Sequence, residues 1–176
     1  MKKHSKFLRR LTALALVLCM LAALTAEIFA ADIIGSGYCG AEGDGKNLLW
    51  SLDSAGTFTI KGTGKMKDYT GSDAPWYSAR NRIKRLVLGT GITSIGDYAF
   101  NNCTKLTGSL IIPAGVARIG KGSFFSCSKL NSLTLPESIT SIGWGAFRSC
   151  SGFTGSLILP NGIINIGGSA FAHCRG

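Results

Sequence analysis

Hydrophobic positions in the second half of the chain return in a fixed order. A branched aliphatic, two residues, Ile-Gly, a short gap, an apolar pair and then Cys recur four times. The copies are Ile92-Thr93-Ser94-Ile95-Gly96 to Cys103, Val116-Ala117-Arg118-Ile119-Gly120 to Cys127, Ile139-Thr140-Ser141-Ile142-Gly143 to Cys150, and Ile163-Ile164-Asn165-Ile166-Gly167 to Cys174. The cysteines are spaced 24, 23 and 24 residues apart, and the glycines keep the same rhythm. A period of this length predicts a solenoid, each copy being one turn stacked on the last.

Within each turn the pattern predicts a main strand. Leu110-Ile111-Ile112-Pro113, Leu133-Thr134-Leu135-Pro136 and Leu157-Ile158-Leu159-Pro160 alternate and end on proline, which cannot extend a ladder because it lacks an N–H. Leu86-Val87-Leu88-Gly89 fills the same slot without proline. The Ile-x-x-Ile-Gly element predicts a second short extended piece on the opposite side. Its glycine implies a positive φ or a close backbone approach. The apolar pair before Cys predicts a short helical turn in the core, with Phe124-Phe125 as the pair in the second copy and Phe124 in the place of Ala99 and Ala146. Thr107-Gly108-Ser109 and Thr154-Gly155-Ser156 carry one residue more than Asn131-Ser132, which predicts a bulge or a wider corner.

Residues 32–84 follow a different pattern. Leu48, Trp50 and Leu52 alternate with other residues, Thr57-Phe58-Thr59-Ile60 alternates again, and Asp53-Ser54-Ala55-Gly56 supplies turn chemistry between them. This predicts a hairpin. Breaks at Gly62-Thr63-Gly64 and Gly71-Ser72-Asp73-Ala74-Pro75 precede Trp76-Tyr77 and a short polar turn over Ser78–Lys84. A β cap that covers the first rung of the solenoid is expected here.

The first thirty residues read as a secretory signal peptide. Lys2, Lys3, Lys6, Arg9 and Arg10 precede an apolar run from Leu11, and Ala30-Ala31 offers a cleavage point. The run reaches only Ala26 before Glu27, short of the ~20 residues a spanning helix needs. The formal charge of +10 falls to +6 on residues 31–176, because the leader holds five of the basic residues and one acid. Basic residues are densest from Arg80 to Arg85. Acidic glycans or acidic proteins suit that balance, whereas nucleic acid does not suit an exported chain. Export also permits disulfides. The once-per-turn cysteines nevertheless read as a ladder of small buried thiols at Cys103, Cys127, Cys150 and Cys174.

The run Leu130-Asn131-Ser132-Leu133-Thr134-Leu135-Pro136, continued through Ile139, Ile142-Gly143, Ala146-Phe147 and Cys150, resembles the BspA-like leucine-rich repeat family of bacterial surface proteins. The match spans about residues 84–176. The segment from Leu49-Trp50-Ser51-Leu52 to Pro75-Trp76-Tyr77 looks like the module that precedes such repeats. The resemblance implies a mainly β repeat solenoid, secreted or cell-surface placement, and adhesion to proteins or cells. The expected organisation is residues 1–30 as signal peptide, 31–84 as β cap and 85–176 as about four repeats, the last incomplete. The chain stops at Cys174-Arg175-Gly176, leaving Ile166 and Phe171 at an open end, so a fragment of a longer surface protein is expected.

Chemistry is sparse. His173 stands alone after the leader's His4, at a polar position otherwise held by Asn102, Ser126 and Ser149. One histidine supports neither a Ser-His-Asp triad nor a histidine metal site. Gly35-Ser36-Gly37-Tyr38-Cys39-Gly40 matches a dinucleotide fingerprint but lacks its strand-and-helix setting, and reads as a flexible leader. Asp44, Asp53, Asp68 and Asp73 lack calcium-loop spacing. No catalytic, cofactor or metal residue is assigned.

Binding is the expected function. If the strand leucines point inward, Val87, Ile111, Thr134 and Ile158 form an outward stripe. A second candidate is the aromatic-basic group Trp76, Tyr77, Arg80 and Arg82, suited to glycans, although Trp76 reads first as an anchor of the cap on the first rung. The expected partner is a host matrix or cell-surface protein, or a glycan, with no nucleic acid and no membrane insertion after cleavage. The alternatives are a self-associating surface spacer, through the strip or an open edge, and a non-catalytic targeting part of a larger secreted protein.

Overall fold

Alternating inward residues set the hairpin at the start of the fold. The computed structural model describes residues 31–175, so the expected signal peptide lies outside the described residues. Strands β2 (Leu48–Asp53) and β3 (Thr57–Gly62) pair antiparallel, with Trp50 opposite Ile60 and Leu52 opposite Phe58. The Asp53 carboxylate closes the turn by accepting the Thr57 N–H at 2.7 Å. The segment expected to be a flexible leader is instead β1 (Ile33–Tyr38), paired antiparallel with β2. Its glycines have a packing reason: a Cβ at Gly37 would lie 3.0 Å from the Trp50 indole nitrogen.

Repeat geometry starts earlier than the repeat's letters. β3 pairs parallel with β5 (Arg85–Leu88), Phe58 opposite Leu86 and Ile60 opposite Leu88. β4 (Gly64–Lys65) pairs parallel with β6 (Ile92–Ile95). Residues 57–65 thus form strand, corner and short strand, one solenoid turn ahead of the first recognisable copy. A short 3₁₀ helix over Tyr77–Arg82 then leads into β5. Strand pairing crosses residue 84 without a break.

Three sheets follow the stack. The short second pieces make one continuous parallel ladder, in the order β4, β6, β8 (Arg118–Ile119), β10 (Ser141–Ile142) and β11 (Asn165–Ile166). The main strands do not. β1-β2-β3-β5 is one sheet, and β7 (Gly108–Ile111) with β9 (Leu130–Thr134) is another. The expected fourth strand at Leu157–Leu159 is irregular and exposed. Both interruptions adjoin a turn with the extra residue, where Gly108 has φ +85° and Gly155 φ +84°. Thr107 N still reaches Lys84 O and Thr154 N reaches Asn131 O, both at 3.0 Å. β7 pairs with β9 through a register shift between Gly108 and Ser109, after which Ser109, Leu110 and Ile111 face Ser132, Leu133 and Thr134.

The core is a pile of like on like. Phe100, Phe124, Phe147 and Phe171 stack with centroid separations of 5.3, 5.5 and 5.3 Å. This corrects the expected alignment of the second copy. Ser123 holds the alanine position, fully buried, and Phe124 holds the phenylalanine position. Beside the rings run the thiols. Cys127, Cys150 and Cys174 each donate S–H to the carbonyl of Phe100, Phe124 and Phe147, at 3.2, 3.1 and 3.2 Å. The five described cysteines are free.

The corner that holds this pile is not a continuous helix. Bonds from residue i+3 back to i, such as Asn101 N to Tyr98 O and Cys103 N to Phe100 O, link successive turns. Two left-handed residues per copy prevent helix propagation, for example Tyr98 at φ 52° and Asn102 at φ 58°. The repeated Ile-Gly glycine serves close approach instead of positive φ. A Cβ at Gly120 would lie 2.5 Å from Asp97 N, and one at Gly143 2.5 Å from Lys121 N.

Candidate functional site

Side chains on the main-strand face divide as alternation requires. Leu110 and Ile112 are buried, and Leu86, Leu88, Leu133 and Leu135 are partly buried against the core. Between them Val87 is 44% exposed and Ile111 66%, with Thr134 also exposed, while in the last segment Leu157, Ile158 (83%) and Leu159 are all exposed. The Ser132 hydroxyl donates to Ser109 at 2.8 Å beside this row. Where the ladder is interrupted the surface opens. A groove of about 320 Å³ between β5 and β7 is lined by Val87, Thr90, Ile111 and Pro113 among others. A second, of about 300 Å³, lies between β9 and the Leu157–Leu159 segment, lined by Thr134, Glu137, Ile158 and Pro160 among others. The stripe thus borders two shallow grooves of mixed lining.

The aromatic-basic candidate changes character. Trp76 is buried, so it is withdrawn as a surface residue. Its indole N–H donates to Ala99 O at 2.7 Å, and its ring packs against Phe58 and Phe100 at 4.9 and 5.9 Å. Trp76 therefore ties the hairpin to the first corner. Tyr77 is half-buried under the Arg80 guanidinium, which sits 4.1 Å from the ring centroid and donates to Tyr77 O. Arg82 remains exposed.

A charged clasp spans three turns. Arg118 pairs with Asp68 at 3.0 Å and with Asp97. Asp68 also accepts the Asp97 N–H, and Asp97 accepts the Lys121 N–H. Partial burial pushes the Asp68 carboxyl up, but the Asp97 amide and the Arg118 guanidinium outweigh it and hold it below its ordinary value. The clasp borders an open groove of about 660 Å³ lined by Lys65, Thr93, Ala117 and Arg118 among others. The remaining aspartates serve turns: Asp44 accepts from Lys46 N and Asp73 from Thr70 N. His173 occupies a left-handed position, φ 61°, shared by Asn102, Ser126 and Ser149.

The thiols are not poised as nucleophiles. Burial pushes Cys39, Cys103 and Cys150 from 9.0 up to about 12. Cys127 is raised as well, by burial and then by its neighbouring thiols. Thiolate chemistry needs the opposite shift.

The sequence profile of the BspA type leucine-rich repeat region matches residues 76–176 in six copies. The chain belongs to the BspA-type leucine-rich repeat family. It is similar to a solved leucine-rich repeat protein from Eubacterium ventriosum, with 31% identity over 80% of this chain and a TM-score of 0.65. It is also similar to one from Bacteroides ovatus, with 25% identity over 73% of this chain and a TM-score of 0.49. The chain spans about a third of the length of each, 36% and 32%. No curated protein shows significant similarity to it. The family accounts for the stacked turns, the proline-ended strands and the Phe–Cys corner.

The surface cluster that sequence reading missed lies on the corners after β6, β8 and β10. Tyr98, Lys121, Trp144 and Arg148 meet there. Their types vary from copy to copy, so a search for repeated letters passes over them. The available signal was Trp144 beside Gly143 and Gly145, a large aromatic at a position held elsewhere by Asp97, Lys121 and Gly168.

Proposed function

We propose that this BspA-type chain is an exported, non-catalytic recognition module that binds a protein partner through the main-strand face. The single observation that carries the reading is the exposed row of Val87, Ile111 and Ile158 along the two grooves. Apolar surface held in contiguous, water-facing rows is a common basis of protein–protein contact. Grooves beside the row allow branched side chains of a partner to seat between turns. The basic start of the chain and the apolar run after it support export.

The test is binding of the purified chain to immobilised matrix and cell-surface proteins, compared with an Ile111→Ser/Ile158→Ser variant. Both side chains are exposed, so the fold should persist. A loss of about tenfold or more in affinity supports the reading. Equal binding by the variant overturns it.

A further inference from the structure

Trp144 is the exposed tryptophan of the described fold, 44% accessible, whereas Trp50 and Trp76 belong to the core. It does not stand alone. Lys121 Nζ lies between two rings, 5.6 Å from the Tyr98 centroid and 5.8 Å from that of Trp144. Arg148 Cζ lies 5.9 Å from Trp144. The residues come from three successive turns and are brought together by the stacking of the solenoid. Glycines make room for the rings. A Cβ at Gly122 would lie 2.6 Å from Tyr98, and one at Gly168 would lie 3.3 Å from Trp144.

The charge of this cluster is not neutralised from within. Among the described residues, neither Lys121 nor Arg148 is in an ion pair. The acid at the equivalent position one turn earlier, Asp97, is engaged by Arg118. The cluster therefore presents two cations and an accessible indole within one short stretch of surface. An anion with a flat apolar face matches both parts. The C–H face of a sugar ring packs on an indole, and a carboxylate pairs with guanidinium and ammonium groups. An acidic peptide would use the cations and leave the indole idle. A neutral sugar would do the reverse.

We propose that Trp144, Lys121 and Arg148 form a binding site for carboxylated sugars, that is, for uronic-acid-containing glycans. Tyr98 holds Lys121 in place from the other side. The site lies on the corners that follow the second sheet, and none of its residues belongs to the Val87–Ile111–Ile158 row. It stands independently of the protein-recognition reading.

The experiment is titration calorimetry of the full chain with an oligogalacturonate, a neutral oligosaccharide of equal length and an oligoglutamate of equal charge, at moderate salt. Quenching of tryptophan fluorescence by iodide provides a second readout. The oligogalacturonate is expected to bind and to protect the exposed tryptophan from iodide. Trp144→Ala and Lys121→Gln/Arg148→Gln should each weaken binding about tenfold or more, while Trp144→Phe retains most of it. Ile111→Ser/Ile158→Ser should bind like the parent chain, which separates this site from the sheet face. No binding, unchanged binding by Trp144→Ala, or equal binding of either control ligand overturns the proposal.

Discussion

The rings of Phe124 and Phe147 lie 5.5 Å apart and within 2° of parallel, although the residues belong to different turns. Both are fully buried, and each also stacks on a further phenylalanine, Phe100 or Phe171. The stack couples every turn to the next. Phe124→Ala should cost about 3–5 kcal/mol, the range for deleting a buried ring. Phe124→Leu should cost clearly less, because it refills part of the cavity. Urea unfolding monitored by circular dichroism checks both.

Gly143 and Gly155 differ in why they are glycine. Gly143→Ala should be the more damaging change, since its Cβ would meet the Lys121 backbone at 2.5 Å and the backbone of neighbouring turns cannot yield separately. At Gly155 nothing lies within 4 Å, and only the left-handed φ of +84° resists substitution. Gly155→Ala should then cost about 1–2 kcal/mol, the ordinary left-handed penalty. The ordering of the two midpoints in urea is the readout, and the reverse order would contradict the packing described.

Ser149 sits at φ 62° in a corner where the other copies have Asn102, Ser126 and His173. Ser149→Asn should be neutral or mildly stabilising, because asparagine tolerates this region. Ser149→Val should destabilise by roughly 1–3 kcal/mol, because a β-branched side chain does not. Thermal melting of the two variants compares them directly.

Thiol burial predicts a pH dependence. Cys39, Cys103 and Cys150 are raised from 9.0 to about 12 in the folded chain. The unfolded chain therefore releases these protons at lower pH than the folded one. Stability is fully present below pH 9 and falls as pH rises from 9 toward 12. Replacing Cys103 with alanine should flatten part of that slope while lowering stability at pH 7. At neutral pH a bulky thiol reagent should label Cys174, which is only partly buried, before the other four described cysteines. Mass spectrometry of a labelling time course shows the order.

Much of the turn was legible because it repeats. The strands before Pro113 and Pro136, the second extended pieces, the buried thiols from Cys103 to Cys150 and the corner at Gly108 each follow from a pattern seen several times over. The hairpin of β2 and β3 was equally plain from its alternation. Where letters departed from the pattern, reading failed. Phe124-Phe125 slid by one position because two phenylalanines offered two alignments, and only stacking against Phe100 selects Phe124. The turn formed by Phe58 to Lys65 lacks the consensus glycine and cysteine, so its place in the stack emerges only from its parallel pairing with β5 and β6. Leu157–Leu159 has the letters of a strand but is irregular beyond the Gly155 corner.

Sequence alone determined the unit: its period, its inward residues and the family to which it belongs, because these rest on spacing along one chain. Tertiary structure decided what the surface offers. It brought Trp144 beside Lys121 and Arg148. It also opened grooves where the ladder is interrupted. The reason is geometric. In a stacked solenoid, residues about two dozen positions apart become nearest neighbours, and contacts between unlike residues on adjacent turns leave no periodic trace in the sequence.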